Sequence, residues 1–429
     1  MKYFMIITMF FGTLNSQAQD SSKWSIHFQL TSITQNHNTF KAPYSGAKSL
    51  MQKETPSTSL TSTLFLIYKI AKNTELYFNP EMAGGKGMSG ATGIAGFPNG
   101  ETFRVGNLKP VIYIARAFVR QYIPLGGKNI TLDDEALQMK RSITEKYIVL
   151  HAGKLSLGDL MDENNYANDP RTQFMNWALM TAGAYDYAAD VRGYTFGIAA
   201  EYVSDKFKAK AATVLLPKEA NGAAINFNYT KSFSWQAEVS KDFGTAERPG
   251  TIRVLGFFNR CNMGNYKLAT MRNDKDITAT RIFSRNKSGF VVNADKRISK
   301  NAGIFVMTGY NDGKNETWCF TEIDRSLAYG YTVTGDAWKR TNDALGVALV
   351  HNGLSKDHRN YLAEGGNGFM IGDGRLNYGI ENIMELYYKL SLFNNKFSIS
   401  PDYQFIINPA YNKDRGPVNV IGLRFHTEW

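Results

Sequence analysis

The 429-residue chain has few cysteines and prolines, and it lacks long apolar runs. Its two cysteines are too few for a disulfide scaffold or for a zinc site with four thiolate ligands. Beyond the N-terminus, no apolar run approaches the roughly 18 residues that a membrane-spanning helix needs. Aromatic residues nevertheless make up 13% of the chain, which excludes a wholly disordered protein. If this chain resides in a membrane, a closed β-barrel is the structure that satisfies its backbone hydrogen bonds there.

The N-terminus predicts a cleaved export signal. Lys2 precedes a short apolar stretch, and Ser16 and Ala18 place small residues at the two positions that a signal peptidase recognises. We therefore expect residues 1–18 to be a signal peptide. No linker, repeat or charge run divides the remainder, so we expect residues 19–429 to form one exported domain.

Apolar residues alternate with polar or small residues along most of the chain, which is the period of a β-strand. Between residues 194 and 202, aromatic and aliphatic side chains hold one face, while glycine, threonine and Glu201 hold the other. The same alternation predicts strands at 207–211, 223–229, 235–240, 378–388, 397–407 and 418–429. The apolar faces often begin or end in aromatic residues, and the opposite faces are polar, as a membrane barrel with a wet lumen requires.

Roughly 17 such segments occur, and bacterial single-chain barrels have even strand numbers. We therefore predict an all-β fold, a transmembrane antiparallel β-barrel of about 16 strands, with 18 as the alternative. The last strand ends at Trp429, which resembles the terminal aromatic that barrel-assembly machinery recognises in the bacterial outer membrane. The long connections at 84–107, 259–285 and 356–374 are expected on the outer side.

Residues 159–190 break the alternation. This stretch carries too many aromatic residues for a disordered loop, and Asp169 followed by Pro170 predicts the start of a short helix that ends at Met180. We predict a loop that folds into the barrel and narrows the pore. An extracellular cap packed on itself is the alternative.

Six stretches in one collinear order resemble the carbohydrate-selective porin family (OprB type). They are ELYFNPEMAGGKGMSGATGIAGFPNGE at 75–101, YANDPRTQFMNWALM at 166–180, RGYTFGIAAEY at 192–202, GYNDGKNETWCFTEID at 309–324, GFMIGDGRLNYGIENIMELYY at 368–388 and NPAYNKDRGPVNVIGLRFH at 408–426. The resemblance implies a 16-stranded outer-membrane barrel that passes sugars passively, with glucose-type monosaccharides as the substrates. It assigns no individual binding residue.

The alternation of faces along the predicted strands places charges of both signs in the lumen. They are Arg116, Arg120, Lys206, Lys208, Lys210, Arg424, Glu201, Glu238, Glu381, Glu385 and Asp402. Ion-sorting channels tend to use rings of one sign, whereas a mixed wall offers hydrogen-bond donors and acceptors that suit a neutral polyol. General diffusion porins also carry mixed walls, so a non-selective or anion-preferring porin stays open as the alternative.

The candidate constriction residues come from the unpatterned segment and from one inward strand face. They are Asp169, Arg171, Phe174, Trp177, Arg116 and Arg120. No spacing of His, Ser or acidic residues predicts a catalytic, metal or cofactor site, so an outer-membrane hydrolase is the least favoured alternative.

The expected partners follow from the compartment and the charge. They are small neutral carbohydrates, outer-membrane lipids, lipopolysaccharide phosphates that the net charge of +11 favours, and the assembly machinery at Trp429. We expect no nucleic acid on an exported chain. The oligomeric state stays open, and a homo-oligomer is one option.

Overall fold

The computed structural model of the protein describes residues 22–103 and 108–429. The predicted signal peptide at 1–18 lies outside these residues. Sixteen antiparallel strands form one closed barrel, in which each strand pairs with its neighbours in the chain and the first strand pairs with the last. The prediction of an all-β barrel of 16 strands is therefore confirmed, and the alternative of 18 is wrong.

The strands are β1 (Trp24–His37), β2 (Ser57–Ala71), β3 (Thr74–Gly85), β4 (Val111–Leu132), β5 (Arg141–Leu155), β6 (Thr195–Val203), β7 (Phe207–Val214), β8 (Phe233–Gly244), β9 (Pro249–Met263), β10 (Ile282–Arg297), β11 (Ala302–Asn311), β12 (Arg325–Gly335), β13 (Arg340–Gly353), β14 (Glu381–Leu392), β15 (Phe397–Ile407) and β16 (Val418–Glu428). Within the described residues, three short α-helices lie in the connections: α1 (Trp177–Met180), α2 (Tyr266–Met271) and α3 (Lys356–Ala363). In the described ranges, no helix has both the length and the apolar character needed to cross a bilayer.

The two faces of the strands differ as the alternation predicts. On β8, Trp235 and Val239 are 55% and 47% exposed on the outside of the barrel, whereas Gln236 and Glu238 are buried inside it. The same pattern of outward apolar and inward polar side chains recurs around the barrel. Such a wall suits lipid on its outer surface and polar groups within.

The connections differ in length at the two ends of the barrel. The connections at one end are 38–56, 86–110, 156–194, 215–232, 264–281, 312–324, 354–380 and 408–417. The other end has short turns at 72–73, 133–140, 204–206, 245–248, 298–301, 336–339 and 393–396. Because outer-membrane barrels carry their longer loops outside the cell, we call the first end the outer end and the second the periplasmic end. The three long connections predicted from the sequence lie at the outer end.

The strand predicted at 223–229 is wrong. These residues belong to the connection between β7 and β8, and Ile225 makes only an isolated bridge to Pro217. Phe227 and Tyr229 are exposed on the outside of the barrel, and the Trp235 indole N–H donates to the Tyr229 hydroxyl at 2.9 Å. A loop that places aromatic residues against the outer wall imitates the alternation of a strand.

The helix predicted from Pro170 to Met180 is mostly wrong, because only its last turn forms α1. Asn176 caps that turn by accepting from the Ala178 N–H at 2.9 Å. Asp169 instead closes a separate tight turn by accepting from the Thr172 hydroxyl at 2.7 Å. The residues between the two turns do not continue the helix. The N–H groups of Met175 and Asn176 instead donate to the Glu385 carboxylate of β14.

Candidate functional site

The segment 159–190 is folded into the barrel and packs against its inner wall. The Phe174 ring is 1% exposed and lies 4.8 Å from the Tyr387 ring of β14 and 5.7 Å from the Phe305 ring of β11. The Asn164 amide donates to Asn293 of β10 at 2.7 Å. The prediction of an inward-folded loop is therefore confirmed, and the alternative of an external cap is wrong.

A second segment, 86–103, also turns inward and packs on the first. The rings of Phe97 and Trp177 lie 5.5 Å apart, and the Trp177 indole N–H donates to the Asn99 carbonyl at 2.7 Å. A Cβ at Gly100 would come within 2.5 Å of Pro170, so only glycine permits this approach. The two inward segments therefore pack against each other inside the barrel.

Inward carboxylates of β14 bind the backbones of both segments. Glu381 accepts from the N–H groups of Ala95 at 2.9 Å and Gly96 at 2.8 Å. Four residues further along the same face of β14, Glu385 accepts from the N–H groups of Met175 and Asn176. Charge-assisted hydrogen bonds of this kind hold the two segments at a defined depth.

Other predicted inward charges have the same anchoring role. Arg424 of β16 donates to the carbonyls of Pro170 at 2.8 Å and Gln173 at 2.7 Å, and Glu238 of β8 accepts from the Asp162 N–H at 2.6 Å. These groups face the lumen as predicted, but their hydrogen-bonding capacity is largely used by the protein itself.

The lumen carries paired charges where the two inward segments meet β3 and β4. Arg171 on the first segment places Nε 3.0 Å from Glu101 on the second segment, and its guanidinium lies 3.6 Å from Glu81 of β3. Arg116 of β4 forms a bidentate pair with Asp159 at 2.6 and 2.7 Å. We call these five residues the charged section.

Hydroxyl groups complete the charged section. Glu81 accepts from the Thr63 hydroxyl at 2.6 Å, from the Tyr194 hydroxyl at 3.1 Å and from the Tyr113 hydroxyl. The Arg116 guanidinium also lies over the Tyr194 ring, 5.2 Å from its centroid. The arrangement presents cationic hydrogen-bond donors and anionic hydrogen-bond acceptors on one side of the lumen.

A cavity of about 330 Å³ continues from the charged section toward the periplasmic end, along the inner faces of β4 to β7. Its polar lining includes Arg120, Tyr122, His151, Glu201, Lys208, Lys210, Asp159 and Glu163. Asp159 belongs both to this lining and to the charged section, so the two regions are contiguous.

Comparisons with known proteins agree with this geometry. The family described as "Carbohydrate-selective porin, OprB family" matches residues 58–429. The chain belongs to the OprB family of carbohydrate-selective porins. It is thus an outer-membrane porin, and family and fold indicate a channel and not an enzyme. A comparison with curated proteins found no match.

Solved structures share the fold of this porin at low sequence identity. The high-pH structure of OprB from Pseudomonas putida has a TM-score of 0.70 at 14% identity and covers 95% of this chain and 94% of its own. The low-pH structure of the same protein has a TM-score of 0.50 at 11% identity, covering 95% and 93%. The channel DcaP of Acinetobacter baumannii has a TM-score of 0.51 at 9% identity, covering 95% and 97%.

The structure divides the six candidate residues of the porin into four groups. Arg171 and Arg116 lie in the charged section, and Arg120 lines the cavity below it. Phe174 and Trp177 are buried in the packing between the segments and the wall. Asp169 holds its own turn.

One predicted inward charge is misplaced. Lys206 lies in the exposed turn between β6 and β7, because β7 begins only at Phe207. Its neighbours Lys208 and Lys210 do reach the cavity. The alternation of inward and outward side chains no longer holds at a strand end, where the backbone leaves the sheet.

Sequence reasoning missed three acidic residues of the site. Glu81 alternates in phase with the inward residues of β3, so parity could have found it. Glu101 follows a glycine-rich stretch without periodicity, and Asp159 stands at the edge of the unpatterned segment. Only the folded chain brings these residues to Arg171 and Arg116.

Proposed function

We propose that this porin lets small neutral carbohydrates of the glucose type diffuse passively into the periplasm, through a constriction formed by segments 86–103 and 159–190. The observation that carries the proposal is the charged section, where two arginines are each paired with carboxylates. Such pairs offer hydrogen bonds of both kinds while adding little net charge, which favours a polyol over either a cation or an anion. Family membership supports the same substrate class.

The candidate residues take distinct parts in this proposal. Arg171 and Arg116 exchange hydrogen bonds with the passing sugar, and Arg120 receives it on the periplasmic side. Phe174 and Trp177 set the width by filling space, and Asp169 holds Arg171 in place through the turn that both residues share. The Asp169 carboxylate accepts from the Arg171 N–H at 3.0 Å, which supports this last role.

We also propose that outer-membrane lipids surround the exposed apolar belt and that the assembly machinery binds the C-terminal strand. The Trp429 side chain is 62% exposed, while its backbone pairs with Phe28 through two hydrogen bonds of 2.9 Å. The aromatic group is thus presented at the periplasmic end.

The proposal is tested by swelling of proteoliposomes in glucose, in larger saccharides and in amino acids of matched size, together with reversal potentials in a salt gradient. We expect glucose to enter faster than an amino acid of equal size and the reversal potential to stay near zero. A pure size cut-off would favour a non-selective porin. A strong chloride preference would favour the anion-preferring alternative.

A further inference from the structure

The outer wall of the barrel carries a dense group of aromatic side chains at the outer ends of β8 and β9. The Phe233 ring lies 4.9 Å from the Trp235 ring, 6.2 Å from the Phe258 ring and 5.2 Å from the Tyr229 ring of the preceding connection. Trp235 and Tyr229 are exposed outside the barrel. Aromatic girdles of this kind mark the depth at which the hydrocarbon of a bilayer meets the lipid headgroups. We call these four rings the outer aromatic group.

Two exposed cations lie beside the outer aromatic group. Arg260 of β9 is directly opposite Phe233 in the register of β8 and β9, and it follows Phe258 on the same outward face. Lys231 precedes Phe233 by two residues, and its ammonium lies 5.5 Å from the centre of the Phe283 ring of β10. Phe283 lies where the register of β9 and β10 shifts, so Lys231 reaches across the outer end of β9. Both cations therefore stand on one outward surface, at the level of the lipid headgroups.

Neither cation is neutralised by a described residue. Within 22–103 and 108–429, the side chains of Arg260 and Lys231 form neither an ion pair nor a hydrogen bond. On the β10 side, the partner of Arg260 in the strand register is Asn286, which carries no charge. Both cationic side chains are exposed and can contact molecules outside the protein.

The acidic side chains of the neighbouring connections have other partners. Glu316 forms a bidentate pair with Arg281 at 2.6 and 2.9 Å. Burial by itself lowers the pKa of Arg281, but Glu316 and the Glu219 carboxylate outweigh it, which places Glu219 near Arg281. Asp312 follows β11, two strands away from β9, and its carboxylate accepts from the Ser288 N–H at 3.1 Å. The two cations beside the outer aromatic group are therefore available to an external anion.

We propose that Lys231 and Arg260 bind a phosphate group of lipid A, the membrane anchor of lipopolysaccharide, while the outer aromatic group packs on its acyl chains. Lipid A forms the outer leaflet of the bacterial outer membrane, and its phosphates lie at the headgroup level, where both cations stand. A guanidinium donates two parallel hydrogen bonds to a phosphate, and an ammonium adds a point charge. The inference does not depend on which solute passes the pore, and it gives the lipid partner a defined site.

The test measures lipid binding to the mature porin in detergent by native mass spectrometry. The probes are lipid A, dephosphorylated lipid A and phosphatidylglycerol, and the variants are Arg260→Gln and Lys231→Gln. Lys296→Gln is the matched control, because the Lys296 ammonium also lies over an exposed aromatic ring, 5.7 Å from the centre of Phe243, but at the periplasmic end. Correct folding of each variant is checked by the heat-dependent shift in electrophoretic migration of the barrel.

We expect the wild type to bind one molecule of lipid A more tightly than either other probe. Loss of one charge-assisted contact should weaken lipid A binding by about tenfold in Arg260→Gln and in Lys231→Gln. Lys296→Gln should bind lipid A like the wild type. Glucose uptake into proteoliposomes should be the same in all four proteins, because these side chains face away from the lumen.

Four results would overturn the inference. Both outer variants could bind lipid A as tightly as the wild type, or Lys296→Gln could lose as much affinity as they do. Dephosphorylated lipid A could bind as tightly as lipid A, which would remove the role of the phosphate. Phosphatidylglycerol could bind equally well, which would make the surface a general site for anionic phospholipids. All four outcomes leave the proposed sugar channel untouched, since that proposal is tested by solute uptake.

Discussion

At the scale of single residues, the inward charges of this porin divide into those that hold its structure and those that face the solute path. Glu385 and Arg424 are bound to backbone groups of the segment 159–190, so their substitution would change the shape of the lumen. Arg171 differs because its partners are the side chains of Glu81 and Glu101, and its side chain is 18% exposed. Arg171 is therefore the inward charge whose removal breaks side-chain ion pairs and no hydrogen bond from its side chain to the backbone.

Arg171→Ala should weaken sugar recognition more than ion flow. Removing one charge-assisted donor should lower the ratio of glucose uptake to ion conductance by up to about tenfold. Liposome swelling and planar-bilayer conductance measure the two quantities. Arg272→Ala is the control, because Arg272 forms an exposed pair with Asp274 in the outer connection 264–281. Equal proportional losses of sugar uptake and conductance would reject a specific role for Arg171.

At the scale of elements, the segments 86–103 and 159–190, which contain only short helical turns, pack inside the barrel. Internal turns satisfy part of their backbone groups, and side chains of the inner wall supply partners for others, as Glu385 does for Met175 and Asn176. The segment 159–190 also fills space with Phe174 and Trp177, which pack against the wall and against Phe97. The barrel alone would leave a much wider lumen.

Deletion of residues 164–182 should raise single-channel conductance, because it removes the aromatic residues that occupy the lumen. Water would then solvate Glu385 and Arg424, so the barrel should still fold. Planar-bilayer recording measures the effect. Deletion of residues 272–274 in an exposed outer loop is the control and should leave conductance unchanged. A folded deletion variant with wild-type conductance would remove the constriction hypothesis.

The outer connections are tied together by a buried group of charges. The Asp324 carboxylate lies 3.0 Å from His358 Nδ1 and 3.6 Å from the Lys287 ammonium, and the His358 ring stacks on Tyr266 at 4.0 Å. Burial by itself would raise the pKa of Asp324, but His358 and Lys287 outweigh it and hold the pKa below its ordinary value. A carboxyl group whose pKa is lowered by folding stabilises the fold at every pH above its ordinary pKa. This stabilisation is lost as the pH falls below that ordinary value and through the lowered pKa.

Asp324→Asn should loosen these outer connections at neutral pH. Removing one partner of a buried charge group costs about 3 kcal/mol, whereas the wild type should keep its loops ordered down to about pH 4. Limited proteolysis of the porin in liposomes across pH 3 to 7 reports the effect. The control Asp274→Asn removes an exposed pair and should not change cleavage. Identical cleavage of Asp324→Asn and the wild type would show that the group does not hold the loops.

At the scale of the whole molecule, the barrel is inverted relative to a soluble protein. Apolar side chains such as Val347 and Leu386, which pair across β13 and β14, are exposed outside, and charged groups are buried inside. This distribution is stable only if lipid covers the outer wall. Inner charged groups such as Arg116, Glu385 and Arg424 are tolerated because each forms an ion pair or hydrogen bonds within the barrel.

Val347→Lys should destabilise the folded barrel in a bilayer by about 2–4 kcal/mol, because a charge near the middle of the strand would face hydrocarbon. Urea-dependent folding into lipid vesicles measures the free energy of unfolding. Val347→Leu is the control and should be close to neutral. A lysine variant as stable as the wild type would contradict the assignment of this face to lipid.

Much of the fold could be predicted from the sequence because a β-strand in a barrel wall meets two uniform environments. Residues such as Trp235 and Glu238 differ in polarity because one faces lipid and the other the lumen, and their alternation reveals the strand. The same logic failed at 223–229, where a loop lies on the outer wall and meets the same lipid boundary. Periodicity reports the environment of a side chain, and only indirectly the backbone conformation.

The sequence by itself determined the barrel and the direction of its faces, and it favoured 16 strands over 18 and an inward loop over an external cap. Only the tertiary structure decided that 86–103 joins 159–190 in the lumen and that Arg171 meets Glu81 and Glu101. The physical reason is that a strand's pattern is set locally by the lipid and the lumen on its two sides. Pairing between irregular segments depends on contacts between residues far apart in the chain, which no local period records.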